Sequence, residues 1–121
     1  MKFQAPKETE FLIWTKHAIE KMKFYGLSEQ RIKRILRNPD RIEEGIAPET
    51  IALMQKTGSK KHPSEIWLMY APINKDTANK SKKIIISCWR YPGISKKGEE
   101  IPIPEELELD IKKEIEKIRL D

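Results

Sequence analysis

A chain of 121 residues with 24 basic and 19 acidic side chains, net +5, fits one domain that can hold a core without staples. Its one cysteine excludes an internal disulfide framework and any Cys-rich zinc site. No apolar run approaches the ~20 residues of a bilayer crossing, and the N-terminus lacks a signal-peptide pattern, so a cytoplasmic protein with no membrane partner is expected.

The charge is unevenly spread. Residues 1–98 carry a net +10 and residues 99–121 a net −5. The body attracts a polyanion and the tail repels one. Isoleucine occurs 18 times and valine never, a bias of codon usage, because no packing rule prefers one so completely.

In chain order, Phe11 to Trp14 is apolar and bounded by charges, and reads as a buried strand. Thr15 caps a helix from Lys16, whose apolar face holds Ala18, Met22 and Tyr25 with Ile19 beside them. Gly26 ends it in the left-handed conformation. Ser28 caps a second helix with the stripe Ile32, Ile35 and Leu36, stopped at Asn38-Pro39. So short a link makes the pair a tight helical hairpin.

The hydrophobic period then changes to two. Thr50–Lys56 places Ile51 and Leu53 on one side. Glu65–Ala71 separates Ile66, Leu68 and Tyr70 from Trp67 and Met69. Lys83–Tyr91 separates Ile84, Ile86 and Cys88 from Ile85, Ser87, Trp89 and Tyr91, with Arg90 at the end of the first set. Asp40–Pro48 has room for a further edge strand. The expected body, about residues 10–98, is an antiparallel meander with the helical hairpin on one face, an α+β fold. A Pro-rich linker, 101–104, leads to an amphipathic helix over Glu105–Leu120, with Leu107, Ile111, Ile115 and Ile118 in one stripe. Its acids crowd the start and its bases the end, as the helix dipole favours.

The stretch from His17 to Ser28, continuing through Leu36-Arg37-Asn38-Pro39, resembles the opening of a small uncharacterised family with a His-Ala-x-x-Arg-Met-x-x-Arg-Gly-Ile pattern. That family is similar to the RelE/ParE superfamily of toxins. His17, Ala18, Met22 and Gly26 match; Lys21 and Tyr25 stand where arginines are usual. The resemblance implies a twisted antiparallel sheet packed against a helical hairpin. It also implies an RNA-cleaving or ribosome-acting toxin with a cognate antitoxin, and an active site near the ends of the later strands. Terminal helices in such toxins often pack on the sheet, where antitoxin helices can also sit.

Metal-independent RNA cleavage needs a base for the 2′-hydroxyl, an acid for the leaving oxygen and cations around the phosphate. His17 and Lys21, four apart, share one helical face and can supply two of these. His17 equally fits a structural histidine bonded to the adjacent strand. Arg90 can clamp a phosphate, and Tyr91 can act as an acid or stack on a base. The alternative for this pair is a strand end with an aromatic plug and a surface arginine. Lys56, Lys60, Lys61, Lys82 and Lys83, with Trp89 for stacking, are candidate nucleic-acid contacts; the lysines also simply keep loops soluble. In a meander the loops at 57–64 and 72–82 lie at opposite ends of the sheet. No metal motif and no cofactor motif is present. Three functions stay open: a RelE-like endoribonuclease, a non-catalytic RNA- or ribosome-binding module, and a protein-interaction module. The terminal helix is expected to dock across the body and mask part of its positive charge.

Overall fold

The first helix begins where the first strand stops, because Thr15 serves both. The computed structural model describes residues 2–73 and 82–120. It runs β1 (Leu12–Trp14), α1 (Lys16–Tyr25), α2 (Glu29–Arg37), β2 (Arg41–Glu44), β3 (Ile51–Gly58), β4 (Pro63–Ile73), β5 (Lys82–Pro92) and α3 (Glu105–Leu120). The Thr15 hydroxyl accepts from the Ala18 amide and donates to the Ile86 carbonyl, while the Thr15 amide donates to the Ile85 carbonyl. This fixes the start of α1 against β5. Gly26, at φ 68°, closes α1 in the left-handed region, where a glycine meets no steric penalty.

The five strands form one sheet in the order β1-β5-β4-β3-β2. β2 to β5 are the antiparallel meander, with Asp40–Pro48 supplying the edge strand β2. The wholly antiparallel expectation needs one correction. β1 pairs parallel with β5, so the sheet is mixed. β1 reaches only Lys83 to Ile85, and beyond it α1 runs along the open edge of β5. The partly buried Tyr25 accordingly packs against the cores on both sides of the sheet.

On one face the helical hairpin buries Ala18, Met22, Leu27, Ile32 and Ile35 against Leu53, Ile66, Leu68, Ile85 and Cys88. On the other, α3 buries Leu107, Ile111 and Ile115 against Met54, Trp67, Met69, Ile86 and Trp89. The terminal helix therefore docks on the body as expected, on the face opposite the hairpin. Strict alternation fails at one point in β5. Met69 pairs with Ser87 and Tyr70 with Ile85, which leaves Ile86 as an extra residue. Such a bulge shifts the phase, so Cys88 joins Ile85, not Ile86.

Candidate nucleic-acid interface

The ladder sets which basic groups meet. Ser64 pairs with Pro92, Glu65 with Tyr91 and Ile66 with Arg90. The Gly93 amide donates to the Pro63 carbonyl at 2.8 Å. The β3–β4 turn, with exposed Lys60 and Lys61, therefore lies at the same end of the sheet as Arg90 and Tyr91. Gly58 makes that turn: its φ is 82°, and a Cβ there would run into the His62 carbonyl. Lys56 pairs with Glu65, which pairs with Tyr91, so the three form a row across β3, β4 and β5. The end of α1 arrives here too, because Arg90 Nε donates to the Tyr25 carbonyl at 2.8 Å.

Lys82 and Lys83 are elsewhere. They pair with Ile73 and Pro72, about 26 Å along the strand from Tyr91 at the usual rise per residue. The Lys83 ammonium lies 5.7 Å from the Tyr70 ring centroid. Lys80 and Ser81, in the same basic run, lie outside the described residues. Trp89 is fully buried, stacked on Trp67 at 6.1 Å, and its indole N–H donates to the Pro102 carbonyl. Its ring is not open to a base.

His17, Lys21 and Tyr25 form one row along α1. His17 is only 8% exposed, and its Nε2 is 2.9 Å from Ser87 Oγ. Burial holds its pKa below the usual 6.5, while Glu114 and Asp110 of α3 pull the other way. Burial raises the Tyr25 pKa, and Glu106 adds to it. An acidic row on α3, Glu106, Asp110 and Glu114, thus faces the His17–Lys21–Tyr25 row. Two helical turns, about 12 Å, separate His17 from Tyr25, where Arg90 is anchored. The structure therefore does not bring His17 and Arg90 together; half-buried Lys21 sits between them. Burial pushes the nearby Cys88 thiol up to about 12, which makes it inert.

Beneath Tyr91 a buried polar network supports the strand end. Glu65, 1% exposed, accepts from the Trp67 indole at 3.0 Å, the Ser95 amide at 3.1 Å and the Ser95 hydroxyl at 2.6 Å. Arg41 donates to the same Ser95 hydroxyl and to Glu43, and stacks 5.2 Å over the Trp67 ring. Each buried polar side chain in the group has a partner, as a low-dielectric site requires.

Two residues that sequence reasoning passed over belong to this region. Phe24 is 75% exposed, edge-on to Tyr25 at 4.9 Å, with the Lys21 ammonium 5.3 Å from its ring centroid. It stands off the apolar stripe of α1, and that phase was its signal. Arg31, in the first turn of α2, has a buried Nε with no partner.

Chemically, this end offers a fork-shaped donor in Arg90, point charges in Lys21, Lys56, Lys60 and Lys61, and a phenol in Tyr91. That set suits a polyanion. Among the described residues no group of three or more His, Cys, Asp or Glu side chains could hold a metal ion. No helix among them is long and apolar enough to cross a membrane. Comparison of the chain with protein families, with curated proteins and with solved structures gives no match.

Proposed function

We propose that the chain is a RelE-like toxin-type protein that acts on RNA through the end of the sheet that carries Arg90. One observation carries the reading: hairpin register brings Lys60, Lys61, Lys56, Arg90 and Tyr91 to one end of the sheet, with Arg90 on the hairpin face at the end of α1 and Lys56 and Tyr91 on the face of α3. Lysines held this way neutralise successive phosphates without choosing a sequence. A cognate antitoxin and a ribosomal setting belong to the same proposal.

If the protein cleaves RNA, the 2′-hydroxyl gives its proton to solvent water as its oxygen attacks the adjacent phosphorus, a 2′,3′-cyclic phosphate forms, and the P–O5′ bond breaks as the 5′-oxygen takes a proton. Arg90 and Lys21 stabilise the charge that builds on the phosphoryl oxygens; Tyr91, the candidate proton donor, lies on the α3 face of the sheet, opposite Arg90, and serves a strand that wraps the end of β5. Expression of the wild-type chain then arrests growth, and Arg90→Ala relieves the arrest. Purified protein cleaves single-stranded RNA in the presence of a chelator.

The non-catalytic reading has an observation of its own. His17, the candidate base, is buried and hydrogen-bonded to Ser87, as a structural histidine would be. It predicts salt-sensitive RNA retention with no cleavage products and no arrest. Failure to retain RNA even at low salt would overturn both versions and leave a protein-interaction module.

A further inference from the structure

Apart from Arg37 at the end of α2, the arginines fall into two groups. Arg41 is spent on Glu43 and Ser95, and Arg119 on the Pro48 carbonyl. Arg90, bonded to the last turn of α1, and Arg31 and Arg34, in the first turns of α2, flank the bend of the helical hairpin, where Arg34 and Arg90 both act on the Arg31 charge; among the described residues none of the three forms an ion pair. The bond from Arg90 Nε to the Tyr25 carbonyl holds that guanidinium at the last turn of α1, with its two terminal nitrogens left over. Gly26, Leu27 and Ser28 then turn the chain directly into α2. Arg31 lies in the first turn of α2, its amide bonded to the Ser28 cap, and Arg34 is one turn on along the same face. The nearest acid in sequence, Glu29, is occupied by Lys33 at 2.8 Å and by the Lys7 amide at 2.8 Å.

The result is an uncompensated cluster. Burial, then Arg34, then Arg90 each disfavour the charged form of Arg31, and no carboxylate offsets them. Its buried Nε–H has no acceptor among the described residues. A buried donor left unpaired costs free energy, and like charges held close cost more. An anion at the bend removes both costs. Arg31 has no hydrogen bond to lose in turning toward one, and the first turn of α2 adds its dipole.

We propose that Arg31, Arg34 and Arg90 form a phosphate-binding site at the bend between α1 and α2, which takes a backbone phosphate of bound RNA. The ligand's identity rests on the RNA reading given above; the phosphate site itself does not. The site extends the cationic end of the sheet around Arg90 onto the hairpin face, so a strand of RNA reaching Lys60 and Lys61 continues to α2.

The test is a titration of the full-length chain with inorganic phosphate, following the arginine Nε–Hε resonances by NMR at constant ionic strength. The resonances of Arg31 and Arg90 should shift together and saturate. Exposed Arg34→Gln should weaken the response about tenfold, the value of one lost charge-assisted hydrogen bond. An absent or non-saturating shift, or one unchanged in Arg34→Gln, overturns the site. A parallel titration with a single-stranded oligoribonucleotide separates the two claims. Saturable shifts with phosphate but none with the oligonucleotide sustain the site and overturn RNA as its ligand. RNA retention without any phosphate response overturns the site and leaves the RNA reading standing.

Discussion

The two ends of the sheet are both rich in lysine, yet they are built differently. At the Lys82–Lys83 end, the lysines are the first two residues of β5 and pair with Ile73 and Pro72, and Lys83 lies over the Tyr70 ring. At the other end, a glycine-made turn carries Lys60 and Lys61, a buried carboxylate network braces the strand below Tyr91, and a backbone carbonyl of α1 fixes Arg90. Counting charge along the chain cannot separate the ends. What marks the Arg90 end is its frame of turn, buried network and helix-end carbonyl; on the proposal that RNA binds there, such a frame lowers the entropy lost on binding.

The largest expected effect comes from dismantling the braced end. Replacing Lys60, Lys61 and Arg90 together by Ala should weaken RNA retention about a hundredfold near 0.1 M salt, since each lost phosphate contact removes about 0.7 from the salt slope for a single strand. Filter retention across a salt series reads both quantities. Lys82→Ala with Lys83→Ala should change the affinity by less than about threefold, and a larger loss would erase the distinction between the ends.

Next is the frame itself. Glu65→Leu strands the Trp67 indole and Ser95 donors and frees the Ser95 hydroxyl that accepts from Arg41. Unfolding in urea should show a loss of about 3 kcal/mol. The bland alternative, a solvated strand end, predicts almost no loss.

A smaller effect tests the acidic row of α3. Glu106, Asp110 and Glu114 act on Tyr25 and His17, beside the cationic end. Changing all three to their amides keeps the stripe of Leu107, Ile111 and Ile115 and should raise RNA affinity about fivefold if the tail masks the body. Unchanged affinity would remove masking while leaving the interface intact.

The smallest effect concerns His17. Its pKa in the folded chain lies below the unfolded value of 6.5, chiefly through burial. Above 6.5 both states hold it neutral and it adds nothing to the pH dependence. As pH falls below 6.5 the unfolded state takes up the proton first, so stability declines. His17→Gln should flatten this decline of stability below pH 6.5. Its RNA affinity should stay within about twofold of wild type, because His17 lies away from Arg90.

Much of this was readable in the sequence, and the gaps have physical causes. Thr15, Gly26, Ser28 and Asn38-Pro39 mark helix ends through local chemistry, and the structure places all of them so. The stripe of α3 likewise announced a docked helix. The parallel pairing of β1 was not legible, because three residues carry no directional signal. The bulge at Ile86 was not legible either: an Ile-Ile-Ile run has the same hydropathy in any phase. Of the candidate site, the period puts Arg90 and Tyr91 at a strand end, while only the family resemblance marks that end as a site. Their joining with Lys60 and Lys61 follows from hairpin register. The network around Glu65 depends on Ser95 and Arg41, distant in sequence, and no spacing rule links them.

On the proposed function, the Arg90 end, and not positive charge in general, receives RNA. The most direct measurement compares salt slopes for single-stranded RNA retention by the wild type, the Lys60–Lys61–Arg90 triple variant and the Lys82–Lys83 double variant. The account predicts that the slope falls by about 2 in the triple variant and by less than about 0.5 in the double variant. Equal falls per lysine removed, or no slope in the wild type, would contradict it.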